Sequence, residues 1–203
     1  MNVKSLNGKG TIYLIDDDAL IRESLLDALG IMGFEVIGFS SAVLFFKNVT
    51  SIVRPSVIVL DMQMPDMTGI ELQAQLLSQK ILIPIIFISG ESYPQQIITG
   101  MKQGAVDFLL KPFCLNELIA IVTTTLEVDL TQSIYENRFA SLTTREKEVF
   151  VLLVKGNSNK AAACELNVSE SMIKLHKSRI MTKMQASSVH ELTACYLHLR
   201  LSI

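Results

Sequence analysis

The chain is predicted to be an α/β protein: a five-stranded parallel sheet with helices on both faces, followed by a small all-helical domain. Three observations predict it. Apolar, β-branched runs alternate with helical patterns five times within residues 1–126. From residue 142 the strand rhythm is gone and the apolar residues follow helical spacing alone. Charge divides at nearly the same place: residues 1–140 hold nine Lys and Arg against fifteen Asp and Glu, a net −6, and residues 141–203 hold nine against five, a net +4. An acidic first part and a basic second part suggest two domains, the second meeting a polyanion.

The strand runs are TIYLI (11–15), FEVIG (34–38), SVIVL (56–60), PIIFI (84–88) and DFLL (107–110), and the helical patterns between and after them cover 18–32, 41–49, 68–79, 94–103 and 115–126. Five strand-then-helix units require crossovers, hence parallel pairing. The runs are continuously apolar, as expected of strands covered on both sides. Residues 127–141 lack Gly and Pro, which predicts a helical or extended linker between a domain at 1–126 and one at 142–203. In the second domain, Thr143 with Glu146 three residues on reads as a capping box, and Gly156 as a helix stop. Two short helices then flank a turn at Asn167–Ser169, with Ser169 as N-cap. A last helix covers about 188–199.

Hydrophobic residues make up 49 % of the 203, ample for a core. The longest apolar stretch, ILIPIIFI (81–88), is far short of a membrane span. MNVKSLNGKGT at the N-terminus lacks the apolar centre of a signal peptide, so a cytoplasmic protein without membrane contact is expected. Cys114, Cys164 and Cys195 are odd in number and widely spaced, which predicts reduced thiols, with Cys114 as a small packing residue.

In parallel sheets the chemistry sits at the carboxyl ends of the strands. After the first strand come Asp16, Asp17 and Asp18; after the third, Asp61; after the fourth, Ser89 and Gly90; after the fifth, Lys111 and Pro112. Several aspartates facing one another need a cation, and short all-oxygen ligands suit Mg²⁺, which partners phosphate. A lysine supplies a point charge and a serine a hydroxyl for phosphoryl oxygens, and an aspartate is a competent phosphoryl acceptor. Asp18 reads instead as the N-cap of the first helix, and Asp66 as a loop and cap residue.

The segments LIDDDALIRESL, VIVLDMQMPDMTGIEL, IFISG and GAVDFLLKPF, in this order over residues 11–125, resemble the receiver domain of two-component response regulators. The resemblance implies a flavodoxin-like sheet of order 2-1-3-4-5 and a sensor histidine kinase as phosphodonor. It makes Asp61 the phosphoacceptor and a metal ligand. Asp17 becomes a direct Mg²⁺ ligand, Asp16 a ligand through water, and the Gln63 backbone carbonyl a further ligand. Ser89 and Lys111 become the groups that hold the phosphoryl oxygens, and Phe108 the switch aromatic. A cis Lys111–Pro112 bond is implied as well. Gln63 and Glu91 flank the approach of a hydrolytic water. A phosphohydrolase of the haloacid dehalogenase type also uses a strand-end aspartate, but it wants an Asp two residues later, where this chain has Gln63.

LTTREKEV, GNSNKAAACEL, VSESMIKLHKSRI and TKM resemble the LuxR-type helix-turn-helix, and the whole chain then resembles the NarL/FixJ family. Physics points to DNA independently: helix 170–184 carries Lys174, Lys177, Arg179 and Lys183, with Met172, Ile173, Ile180 and Met184 available for its core face. Lys160 is placed to meet phosphate. By resemblance, Lys174, Leu175 and Ser178 lie near base edges and His176 near the DNA backbone, beside Lys177. Met172 and Ile173 stand where the family usually has Thr and Val. The implied protein is a phosphorylation-activated transcription regulator acting on double-stranded DNA. It would dimerise through residues 94–126 and its last helix, with RNA polymerase as a further partner. The competing expectation is a constitutive DNA-binding protein with the receiver as dimerisation scaffold.

Overall fold

The structure, a computed structural model, describes residues 10–91 and 94–199. Most of the N-terminal segment that bears on a leader lies outside the described residues. The elements run β1 (Thr11–Ile15), α1 (Ala19–Ile31), β2 (Glu35–Phe39), α2 (Ala42–Asn48), β3 (Ser56–Asp61), α3 (Gly69–Ser78), β4 (Ile85–Ser89), α4 (Pro94–Lys102), β5 (Asp107–Leu110), α5 (Leu115–Ala140), α6 (Thr144–Val154), α7 (Asn159–Glu165), α8 (Glu170–Met184) and α9 (Val189–His198). The chain divides into two compact units, the first ending at Leu130.

In the first unit the sheet order is β2-β1-β3-β4-β5, with every pairing parallel. Successive side chains of a strand point to opposite faces, and the core divides accordingly. Tyr13, Ile15, Ile58, Leu60 and Phe87 meet Phe45 of α2 with Leu72 and Leu76 of α3. Ile12, Leu14, Val57, Val59 and Ile86 meet Leu25 and Leu29 of α1 with Leu118, Val122 and Leu126 of α5. Burial on both faces is why these strands read as unbroken apolar runs. Register pairs Ile15 with Leu60, Asp61 with Ile88 and Ser89 with Leu110, so the polar residues that follow the strands gather at one edge.

Two devices fix the elements at the two ends of the sheet. A Cβ on Gly69 would lie 2.7 Å from the Asp61 carbonyl oxygen and 3.1 Å from the Met62 Cα, so only glycine lets α3 start this close to the end of β3. At the far end of the unit, the buried Asp129 carboxylate accepts from Arg54 Nε at 3.0 Å, from Arg54 Nη2 at 2.5 Å and from the Ser56 amide at 2.9 Å. A buried carboxylate needs such a set of partners, and this one ties α5 to the start of β3. Residues 127–140, expected as a helical or extended linker, are the last turns of α5.

The second unit packs α6 to α9 around Val149, Phe150, Leu153, Ala162, Ile173, Ile180, Met184 and Leu192, with Tyr135 and Phe139 from the end of α5. Thr143 and Glu146 form the reciprocal capping box, and Ser169 caps α8 by accepting the Met172 amide. Gly156 has φ of 86° and Asn167 φ of 52°, the left-handed residues that let the chain turn after α6 and between α7 and α8.

Three expectations need correction. Met172 does not belong to the core face of α8: it is 43 % exposed while Ile173 is fully buried. Neighbouring positions on a helix differ by about 100°, so only one of the pair turns inward. Cys114 is exposed; its carbonyl accepts the Glu117 and Leu118 amides and opens α5, which places the thiol at a helix entrance instead of in packing. The cap of α3 is Thr68, with Glu71 completing the box, and Asp66 is an exposed loop residue.

Candidate functional site

The cleft at the carboxyl edge is built from four strand ends, those of β1, β3, β4 and β5. Asp16, directly after β1, is fully buried, and its Oδ1 accepts the Asp18 amide at 2.9 Å. The Arg22 guanidinium donates to the Asp16 carbonyl at 2.7 Å and pins the turn from behind. Asp18 accepts the Leu20 and Ile21 amides and so serves as the N-cap of α1. Asp17 is exposed and lines the cleft with Asp18, Ile21, Asp61, Gln63, Gly90, Glu91 and Lys111.

Asp61 ends β3. Its Oδ1 accepts the Gln63 amide at 2.8 Å, and its Oδ2 accepts Lys111 Nζ at 2.6 Å. The same ammonium donates to Asp16 Oδ2 at 2.9 Å, bridging the two buried carboxylates. Lys111 is placed by its own amide, which donates to the Ser89 carbonyl at 2.7 Å, and it precedes a cis peptide bond to Pro112. The Ser89 side chain is buried, and its hydroxyl donates to the Glu91 carbonyl at 2.9 Å. Phe108, on β5, is partly buried against the core. The Gln63 carboxamide donates to Gln96 Oε1 on α4 at 2.9 Å.

Charge crowding shows in the titration of these groups. Burial pushes the Asp16 carboxyl above its ordinary value, although its hydrogen bond to Lys111 and the lysine charge pull the other way; Asp61 adds to the rise. Burial alone would lower the Lys111 ammonium, but its hydrogen bonds to Asp61 and Asp16, with their charges, more than reverse that, so it sits above the usual lysine value. One oxygen each from Asp16, Asp17 and Asp61 lies within 4.8 Å of the others. Three short carboxylates converging from two strand ends match the donor set a hard divalent cation takes.

In the second unit α8 presents Lys174, Leu175, Ser178 and Arg179 to solvent, while His176 and Lys177 are half-buried. The His176 Nδ1 is buried without a hydrogen-bond partner among the described residues. Lys160 is exposed in the first turn of α7, beyond the N-cap Ser158. Lys183 is committed elsewhere: its ammonium donates to Glu146 Oε2 at 2.7 Å and to the Ser141 carbonyl at 3.1 Å.

The response regulator receiver domain family matches residues 12–123, and the luxR family of bacterial regulatory proteins matches residues 140–196. The chain belongs to the two-component response regulators. Its relatives include the response regulator protein TodT of Pseudomonas putida, 36 % identical over 188 residues that cover 89 % of this chain and 82 % of that one. The transcriptional regulatory protein FixJ of Bradyrhizobium diazoefficiens is 36 % identical over 191 residues, covering 91 % and 93 %. Among solved structures, the response regulator StyR aligns with a TM-score of 0.57 at 36 % identity, covering 94 % of this chain and 99 % of that one. Full-length FixJ from B. japonicum aligns with a TM-score of 0.57 at 35 % identity, covering 94 % and 97 %.

This response regulator thus combines a receiver with a LuxR-type DNA-binding domain, and its α/β sheet has the strand order expected from sequence. No helix among the described residues is long and apolar enough to cross a membrane. Three contacts escaped sequence reading: Arg22 on the Asp16 carbonyl, Arg54 on Asp129, and Lys183 on Glu146. Only the last left a trace, because Glu146 was already marked as the third residue of a capping box.

Proposed function

We propose that Asp61 is the phosphoacceptor of this response regulator, and that phosphorylation switches DNA binding by the helical domain. The observation that carries the reading is Lys111, whose ammonium spans Asp61 and Asp16 while oxygens of Asp16, Asp17 and Asp61 converge within 4.8 Å. An Asp61 oxygen attacks the phosphorus of a kinase phosphohistidine; the P–N bond breaks, the imidazole leaves with a proton, and an acyl phosphate remains. Asp16, Asp17, Asp61 and the Gln63 carbonyl would hold Mg²⁺, which would supply charge neutralisation for the phosphoryl oxygens. Lys111 exchanges its bond to Asp61 for one to the new phosphoryl group. The Ser89 hydroxyl leaves the Glu91 carbonyl to donate there as well. Phe108 and the surface of α4, β5 and the first turns of α5 then repack. The receiver spans 1–126, the linker 127–141 and the DNA-binding domain 142–203. The phosphorylated form dimerises, in the cytoplasm, on double-stranded DNA, with RNA polymerase as a partner. Lys174, Leu175 and Ser178 face base edges, and Lys160, His176 and Lys177 face the backbone. The chain turns over no external substrate; its chemistry is confined to forming and losing its own phosphoryl group.

The test is intact-mass measurement after incubation with a small acyl phosphate and Mg²⁺, with DNA footprinting on the same samples. A single Mg²⁺-dependent adduct and a stronger footprint are expected; an unmodified chain with an unchanged footprint rejects the switch. The aspartate roles separate in a second measurement. Asp17→Ala should weaken the Mg²⁺ dependence of adduct formation on the order of tenfold or more, through loss of a ligand. Asp18→Ala should leave it intact and cost about 1 kcal/mol of stability, through loss of the α1 cap. Equal Mg²⁺ titrations for the two variants would remove the distinction.

A further inference from the structure

α8 carries two kinds of apolar side chain. Ile173, Ile180 and Met184 are fully buried in the core of their unit. Met172 and Leu175 are 43 % and 44 % exposed, on a helix whose other solvent-facing residues are polar or charged. They stand three residues apart and so share one face, which continues through the exposed Ser178 and Arg179, three and four residues beyond Leu175. Apolar side chains left nearly half in water there add less to this unit's stability than a core residue would, and polar residues are the default on such a face. The hydroxyls at the helix entrance are already engaged, Ser169 and Ser171 with each other at 2.7 Å and Ser169 with the Met172 amide at 3.3 Å. Few side chains are therefore left to read bases by hydrogen bonding from this end of α8. What an apolar side chain can read in the major groove is the 5-methyl group of thymine. The exposed Arg179 on that face and the exposed Lys174 on the same helix match a phosphate-lined groove in charge and do not match an apolar protein partner.

We propose that Met172 and Leu175 together read pyrimidine 5-methyl groups, so that thymines set the operator preference opposite the first half of α8. The proposal rests on the DNA-binding reading and deepens it. Family resemblance places Leu175 near base edges but gives Met172 no base contact.

The experiment starts from duplexes selected by the full-length, phosphodonor-treated protein from a randomised pool. Each thymine of the selected duplex is then replaced singly by uracil, which removes only the methyl group. At one or two positions the wild-type protein should bind about three- to fivefold more weakly, the effect of one methyl burial. Met172→Ser should lose the discrimination at one of those positions and Leu175→Ala at the other, with helical circular dichroism unchanged because both residues lie outside the core. Exchanging the T·A pair for C·G and then methylating cytosine at carbon 5 should recover part of the affinity, which separates methyl reading from thymine carbonyl reading. Wild-type protein that ignores uracil at every position overturns the proposal. So do variants that weaken thymine and uracil duplexes alike, the result expected if the two residues cover a protein surface. Failure to enrich any duplex rejects the DNA-binding reading itself, a separate outcome.

Discussion

Asp61→Asn is expected to reduce phosphoryl adduct formation to background, a loss of two orders of magnitude or more, and to leave DNA binding indifferent to phosphodonor. Under the proposed function the Asp61 carboxylate, which accepts Lys111 Nζ at 2.6 Å and lines the cleft, is the attacking group. A carboxamide is a far weaker nucleophile, because its electron pair is delocalised and it carries no charge. The fold should survive. One amide oxygen remains to accept from the Gln63 amide or from Lys111, and Lys111 keeps its bond to Asp16. Removing one carboxylate also relieves the repulsion that contributes to the raised Asp16 titration. Thermal unfolding should therefore change by no more than about 1 kcal/mol, which separates a chemical defect from misfolding. Mass measurement and footprinting on wild type and variant check both statements. A wild-type adduct level in Asp61→Asn places the acceptor elsewhere, and a footprint still strengthened by phosphodonor detaches the switch from this site.

The gathering of Asp16, Asp17, Asp61, Ser89 and Lys111 was legible because it follows from topology. Continuous apolar runs imply strands buried on both faces, parallel strands send their carboxyl ends to one edge, and the residues after four of the five runs then meet there in one cleft. Reading fails where the partner is a backbone group or lies far along the chain. Arg22 binds the Asp16 carbonyl, and a carbonyl leaves no mark in a sequence. Arg54 and Asp129 stand 75 positions apart, each an unremarked charge until folding buries them together. Met172 fails for a third reason. Two adjacent apolar residues, Met172 and Ile173, satisfy the same helical period, and only packing of Ile173 among Phe150 and its neighbours decides which one turns inward. That choice sets the face α8 presents to solvent, so an error of one position there changes the residues available for recognition.

Lys183→Met tests the third contact that sequence concealed, Lys183 on Glu146. Glu146 is only 2 % exposed and performs two tasks: it completes the cap of α6 by accepting the Thr143 amide at 2.8 Å, and it accepts Lys183 Nζ at 2.7 Å. The Lys183 hydrogen bond, then the Thr143 amide, hold its carboxyl at about 2, well below the ordinary 4.5. Because the folded value is depressed, this group stabilises fully above about pH 4.5, and that contribution is lost as pH falls towards 2. Replacing Lys183 leaves a nearly buried carboxylate with the amide alone. At neutral pH the cost should be about 1–3 kcal/mol, towards the lower end because the ammonium is partly in water and screened. The variant's Glu146 should move back towards its ordinary value, so stability depends less steeply on pH between 4.5 and 2. Urea unfolding of both proteins, followed by helical circular dichroism at pH 7 and near pH 3, should show a gap at the first that narrows at the second. A gap of the same size at both would mean that lost packing of the lysine stem, and not the ion pair, explains the change. Lys183 then returns to the pool of residues free for DNA. If instead the gap narrows as expected, the positive charge that α8 can offer to phosphate comes from Lys174, Lys177 and Arg179, and salt dependence of binding should be interpreted with three charges on that helix instead of four.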